Sequence, residues 1–211
     1  MLASIKSAMA GAANLVSGQA ENTKTARVRV VNNTTRPIVA ISVIHKCSNN
    51  SHKSHQEWVM VQPGKASMPE MEVEYPAGSG SSCSSGGDNS WLAIWYSEDL
   101  QALRHSEPRE SVFPVDMLDK QSREEIQRVE EALATGSEPG SKGAQLATAL
   151  ARSTTDRAFN SNSLEGLVCH LLRDEDANEM TELVINANET MTFKSKSGTT
   201  EVKVNSQPAA A

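Results

Sequence analysis

The run from Ala26 alternates in polarity. Val28 and Val30 stand apolar beside Arg27 and Arg29, a period of two that predicts a strand with one buried face. Asn32-Asn33-Thr34-Thr35-Arg36-Pro37 is turn chemistry. Ile38, Val39, Ile41, Val43 and Ile44 predict a second, more buried strand, and the two runs read as a hairpin. Trp58 to Val61 reads as a third strand, closed by Pro63-Gly64. Met71 to Tyr75 alternates again and stops at Pro76, while Gly78 to Gly87, almost wholly Gly and Ser, reads as a flexible loop. Trp91 to Tyr96 is the strongest strand signal, and its aromatics place it at the centre of a sheet.

The period then changes. In 116–133, Ile126, Val129 and Leu133 fall at helical spacing, and Glu124 and Arg128 form an i,i+4 pair. Gly136 to Gly143 breaks this helix, Gln145 to Ala151 predicts a second short one, and Ser153 to Ser163 reads as irregular. The block 111–163 is expected to be a polar, partly helical insertion, too polar to supply core. Its contact face toward the sheet or a partner is Ile126, Val129 and Leu133. Leu167 to Leu172 fits helix and strand equally. Glu182 to Ile185, Thr190 to Phe193 and Glu201 to Val204 return to short strands, with turns at Asn186 to Asn188 and Ser197-Gly198.

Short strands, close turns and no βαβ alternation predict an antiparallel β-sandwich built from residues 26–110 and 164–204. Residues 205–211 read as a tail, and residues 1–25 as a tail or a short amphipathic helix. Leu2, Ile5, Met9, Leu15 and Val16 are spaced roughly like one helical face, but Gly11 and Gly18 weaken it, which favours a frayed tail over an anchor.

Composition narrows the function classes. The chain has 211 residues, 38% hydrophobic and only 4% aromatic, with formal net charge −6. A phosphate backbone repels such a surface unless basic residues cluster, and no long basic run occurs, so nucleic acid is not an expected partner. No stretch of about 18 apolar residues is present to span a membrane. Three widely spaced cysteines, Cys47, Cys83 and Cys169, suit a reducing compartment better than a disulfide framework, so a soluble cytoplasmic protein is expected.

Several short segments occur in a telling order: Val31-Asn32-Asn33-Thr34, Val43-Ile44-His45-Lys46, His55 to Trp58, Gln62-Pro63-Gly64, Trp91-Leu92-Ala93-Ile94-Trp95 and Phe193-Lys194-Ser195-Lys196-Ser197-Gly198. They resemble the PUD-type domain family, found in nematode proteins that accumulate when insulin signalling is reduced and in fungal relatives. The resemblance covers about residues 26–110 and 164–204. It implies a jelly-roll-like β-sandwich, intracellular, with no catalytic residues to carry over. Residues 111–163 depart from the family, where that connection is short. The fold it implies is also that of small acidic fungal sandwich proteins that bind membrane lipids, an analogy of fold alone.

Several residue clusters carry groups capable of chemistry. His45, His52 and His55, with Cys47, form the richest cluster, but no C-x-x-C pair fixes it as a zinc site, and surface histidines are the better expectation. Cys169-His170 cannot act together if they are strand neighbours, since they then face opposite ways, so an inert buried thiol is expected. Arg173 to Asp176 lacks the spacing and the glycine of a calcium loop. Trp58, Trp91, Trp95 and Tyr96 are the candidate binding residues, as an aromatic platform for a sugar or lipid head group, against ordinary core packing. With no catalytic constellation and no cofactor motif, the expectation is a non-catalytic binding or assembly module with a protein partner or self-association. A lipid-surface binder is the alternative, and a metal-dependent enzyme ranks last.

Overall fold

A computed structural model describes residues 23–47, 52–76, 78, 89–97, 103–106, 120–161, 164 and 166–207. The expectations for residues 1–22, for most of the Gly/Ser loop and for Cys83 lie outside the described residues. The fold is mainly β. Among the described residues, ten strands form one mixed sheet: β1 (Thr23–Asn33), β2 (Ile38–Lys46), β3 (Lys53–Val61), β4 (Met71–Pro76), β5 (Ser90–Ser97), β6 (Leu103–Ser106), β7 (Val168–Cys169), β8 (Met180–Asn186), β9 (Thr190–Ser195) and β10 (Gly198–Gln207). Two helices, α1 (Lys120–Leu133) and α2 (Lys142–Asn160), lie between β6 and β7.

The strand order is β3-β2-β5-β6-β10-β9-β8-β1-β4, with β7 paired to β5 outside this path. The end strands meet without a ladder: Trp58 Nε1 donates to Pro69 O at 2.6 Å, and His52 Nδ1 lies 3.2 Å from Glu74 Oε2. The sheet is therefore nearly closed and barrel-like. Two expectations are corrected. β1 and β2 are not a hairpin, because β1 pairs with β4 and β8 while β2 pairs with β3 and β5. The sheet is also not purely antiparallel, because β1 and β8 run parallel from Arg27↔Met180 to Asn33↔Asn186. The Asn32–Pro37 turn does not reverse one strand onto the next; it carries the chain from one part of the sheet to another.

Alternation sorts the side chains as the period predicts. Trp91, Ala93 and Trp95 face the barrel interior with Val28, Val30, Tyr75, Leu183 and Phe193. Leu92, Ile94 and Tyr96 face outward, yet they too are buried, because α2 covers them. Val129 and Leu133 of α1 and Ala147, Leu150, Ala151 and Ala158 of α2 pack with Val39, Ile44, Leu92, Ile94 and Tyr96 in a second core. The expectation that the helical block supplies no core is thus corrected, while two of its three expected contact residues, Val129 and Leu133, are buried; the side chain of Ile126 lies outside the described residues.

The second helix is also longer than expected. Ser141 caps it, accepting from Ala144 N at 3.1 Å, and it continues through Thr154 and Thr155. Those β-branched residues disfavour helix by themselves, but Thr154 Oγ1 donates to Leu150 O at 2.9 Å and Thr155 Oγ1 to Ala151 O at 3.0 Å. At the far end, Lys46 of β2 donates to Ala158 O and Ser161 O, and Lys53 of β3 donates to Phe159 O. Two cations on the sheet thus satisfy carbonyls that the helix terminus leaves open. Among the described residues, no helix is long and apolar enough to cross a membrane.

Candidate ligand pocket

The sheet opens where β10 changes partners. Up to Lys203, opposite Thr190, β10 pairs with β9; from Val204, opposite Ser106, it pairs with β6. A strand that leaves one ladder for another cannot fill the space between them with backbone. At this point lies a pocket of about 240 Å³, lined by Thr34, Thr35, Arg36, Trp95, Ser97, Arg104, Ile185, Asn186, Ala187, Glu189 and Val204.

Two turns form its mouth, and both are fixed by asparagines. Asn32 is fully buried and uses its whole amide: Nδ2 donates to Arg36 O and Val61 O, each at 2.8 Å, while Oδ1 accepts from Thr34 N at 3.0 Å and Thr34 Oγ1 at 2.7 Å. This holds Thr34, Thr35 and Arg36 in place. Across the pocket, Asn186 Nδ2 donates to Thr190 Oγ1 and Thr192 Oγ1, and Asn33 Nδ2 donates to Asn186 Oδ1 at 3.2 Å, joining the two turns. Glu189 closes the second turn with φ 57°, a left-handed conformation uncommon for glutamate, and its carbonyl accepts from Val204 N at 3.0 Å.

One fully buried donor of the lining residues has no acceptor among the described residues. Trp95 is 1% exposed, and its Nε1 is buried with no hydrogen-bond partner among the described residues. Leaving a buried N–H unmet costs about 1–3 kcal/mol. Arg36 is exposed and forms no ion pair among the described residues.

The expected site residues fall elsewhere, with one exception. Trp58, Trp91, Trp95 and Tyr96 are all buried, so no aromatic platform faces solvent; that reading is corrected, because each fills a core or spans a strand contact. Trp95 alone of the four lines the pocket. The histidines do not converge. His45 and His55 lie on adjacent strands but face opposite sides of the sheet. His45 is sealed inside, its Nε2 2.8 Å from Asn89 Oδ1 and its ring 4.3 Å from that of Trp91, and burial drives its pKa down to about 4. His52 sits by Glu74 at the closing edge. No group of three or more His, Cys, Asp or Glu among the described residues could hold a metal ion. His170 is buried as well, bonded to Thr200 Oγ1 at 3.0 Å and lowered to about 4, again by burial. Its neighbour Cys169 is disulfide-bonded, not an inert thiol, while Cys47 is a buried free thiol. The disulfide removes the argument for a reducing compartment.

One constellation has the order of a nucleophile, base and acid. Ser42 Oγ lies 2.8 Å from His55 Nε2, and His55 Nδ1 lies 3.7 Å from Asp156 Oδ1. Ser42 is fully buried beneath α2, and its hydroxyl also meets Thr155 Oγ1 at 2.7 Å. A carbonyl substrate cannot approach it. The group fastens α2 to β2 and β3, together with Glu57 and Arg152. Asp176, expected in a solvated turn, is likewise structural: it is fully buried, and its carboxylate accepts from Arg173 N at 2.7 Å and Ser197 N at 2.8 Å.

The family described as Up-Regulated in long-lived daf-2 matches the chain over residues 22–204. The match spans the sheet and both helices. Comparison with the curated proteins finds no match.

Proposed function

We propose that this chain, which belongs to the PUD-type family described as Up-Regulated in long-lived daf-2, is a non-catalytic binding module that engages its ligand through the pocket at the β10 switch. The observation that carries this reading is the pocket of about 240 Å³ where β10 changes ladders, its mouth fixed by two asparagine-held turns. Rigid turns on a closed sheet lower the ordering cost of binding. The absence of an accessible nucleophile–base pair among the described residues supports a role in holding and not in transforming.

In this reading the sheet is a flattened barrel of jelly-roll type. One layer runs from β4 through β1, β8 and β9 to the first part of β10; the other runs from the end of β10 through β6, β5 and β2 to β3. A protein partner or a lipid surface would present the group that enters the pocket.

The test follows the Trp95 indole resonance in ¹H–¹⁵N spectra of the full chain, assigned with a Trp95→Phe variant. Saturable movement of that resonance with small polar compounds supports a binding site. Turnover of a generic ester or phosphoester, abolished by substitutions at the pocket, would overturn the non-catalytic reading.

A further inference from the structure

We infer that the pocket takes a small zwitterion, its anionic end held by Arg36 and its cationic end by Glu189, with the Ser97 hydroxyl as a third polar contact. The inference rests on the binding role proposed above and names the class of ligand. Three described residues of the lining carry charge: Arg36, Arg104 and Glu189. Arg104 already has a partner of its own. Arg36 and Glu189 are both exposed, and neither side chain forms an ion pair or hydrogen bond among the described residues. Two opposite charges thus border one space without meeting each other.

The separation is built into the fold. Arg36 stands on the turn between β1 and β2, where its carbonyl accepts from Asn32 Nδ2 and Thr34 Oγ1. Glu189 stands on the turn between β8 and β9, where its carbonyl accepts from Val204 N at 3.0 Å. Asn33 Nδ2 donates to Asn186 Oδ1 at 3.2 Å and ties the two turns together. The backbone under each charge is fixed, while the charged groups are left to a ligand, which lowers the ordering cost of binding.

Ser97 supplies the buried member. It is 7% exposed, and its hydroxyl has no hydrogen-bond partner among the described residues. Unlike Trp95 Nε1, that hydroxyl is not itself sealed from open space. Ser97 follows Trp95 by two positions on β5 and so shares its inward face, and the space it lines is this pocket. A hydroxyl both donates and accepts, so it serves either end of a zwitterion.

Charge decides the class of ligand. A space of about 240 Å³ is narrow beside the roughly 8–10 Å over which salt screens a charge, so whatever enters feels both groups. A lone anion drawn to Arg36 is repelled by Glu189, and a lone cation drawn to Glu189 is repelled by Arg36. A molecule that carries both signs gains from each. The volume also lies below the roughly 300–1,000 Å³ of drug-sized sites, which suits a small amino acid or a head group.

Zwitterion chemistry has two sources, a free amino acid and a lipid head group, and the test separates them. Glycine, β-alanine and 4-aminobutyrate, which space the two charges progressively further apart, are titrated into the full chain. Acetate and methylammonium are the single-charge controls. The Ser97 backbone amide and the Trp95 indole are followed in ¹H–¹⁵N spectra. At least one zwitterion is expected to move them saturably and to bind about tenfold more tightly than either control. Arg36→Gln and Glu189→Gln should each weaken that binding about tenfold. An anion site would instead tighten in Glu189→Gln, and a cation site would tighten in Arg36→Gln. Thermal midpoints without ligand should stay at the parent value in both variants, and the comparison with the controls in the parent chain needs neither.

In parallel, co-sedimentation is measured with vesicles of phosphatidylcholine and phosphatidylethanolamine, and with vesicles of phosphatidylglycerol. Sedimentation with the first set alone, lost in both variants, supports the inference and places the zwitterion on a lipid. Saturable binding of a free zwitterion without sedimentation supports it and places the ligand in solution. Tightening in either variant, or a control that binds as tightly as every zwitterion, overturns the inference and leaves the pocket a binding site of another class. Resonances unmoved by all five compounds, with no sedimentation, would remove the pocket's role as well.

Discussion

Replacing Gly143 by alanine sets two effects against each other. Gly143 is the second residue of α2, just after Lys142 and the Ser141 cap. Helix propensity alone favours alanine over glycine by up to about 1 kcal/mol. Packing opposes it. A Cβ on Gly143 would stand 2.5 Å from Gly136 O, 2.7 Å from Leu133 Cα and 2.8 Å from Leu133 N. All three are backbone atoms at the end of α1 and the turn after it, so no rotamer change makes room. Carbon atoms rest about 3.5–4.0 Å apart, so the two helices must separate by roughly an ångström. Forced overpacking costs about 1–3 kcal/mol. The separation also loosens Leu133 and Ala144, both buried. Packing therefore wins, and Gly143→Ala is expected to lose about 1–2 kcal/mol of stability. For a chain of this size each kcal/mol lowers Tm by roughly 2–4 °C. Urea unfolding followed by circular dichroism measures the loss. Gly136→Ala is the control, since its Cβ would meet only Ser141 Cβ at an ordinary 3.9 Å. A Gly143→Ala chain more stable than the parent, or no less stable than Gly136→Ala, would refute the reasoning.

Acid should weaken the fold through its sealed histidines. His45 and His170 have folded pKa values of about 4 against an ordinary 6.5, so only the unfolded chain takes up protons between those values. Their contribution is complete above pH 6.5 and is lost as pH falls toward 4, by up to about 3 kcal/mol for each residue. His45 faces Asn89, His52 and His170, and His170 faces Asp176, so His45→Gln should reduce the slope of urea midpoint against pH; an unchanged slope would sink this assignment. Tyr96 carries a buried hydroxyl with no partner among the described residues, and burial raises its pKa. Tyr96→Phe should therefore be neutral or stabilising by about 1 kcal/mol in thermal unfolding, and a clear loss would mean that the hydroxyl is bonded. Replacing residues 120–160 with a short Gly/Ser linker uncovers Val39, Ile44, Leu92, Ile94 and Tyr96. At about 1.5–3 kcal/mol for each large side chain, the loss rivals the whole stability of a domain, so cooperative unfolding should disappear; its retention would show the helices to be an appendage.

The β content was legible because the period of two is local. Val28, Val30, Met71, Val73 and Tyr75 alternate with charge, and all are buried. Pairing was not legible from that period, because alternation fixes a face but not a neighbour. The turn at Asn32–Pro37 looks like a hairpin turn by composition, yet its asparagine bonds reach Val61 and hold the chain on a crossing path. The sequence predicts the second helix only over Gln145 to Ala151, because Ser153 to Ser163 is polar, and the packing of α2 over Ser42 and His55 keeps Thr154 and Thr155 helical. The pocket joins Arg36, Trp95, Arg104 and Glu189, which no spacing in the chain could bring together. What the sequence did offer was a turn with an arginine at its end and a tryptophan in the central strand.

The two faces of β5 explain why its aromatics mislead. A strand apolar on both sides in a mostly antiparallel sheet suggests that one side awaits a partner, and here the chain supplies that partner itself. Trp91 and Trp95 enter the barrel, while Leu92, Ile94 and Tyr96 meet α2. With both faces taken, little of β5 is left for recognition except its end, where β6 runs beside it for only two paired residues, Ile94↔His105 and Trp95↔Arg104. There the inward Trp95 reaches the point at which β10 has already turned away toward β6. The polar character of the pocket is thus a consequence of how the sheet closes. The helices seal the outer face, the tryptophans fill the interior, and the remaining gap is bordered by turns whose residues are polar because turns must be.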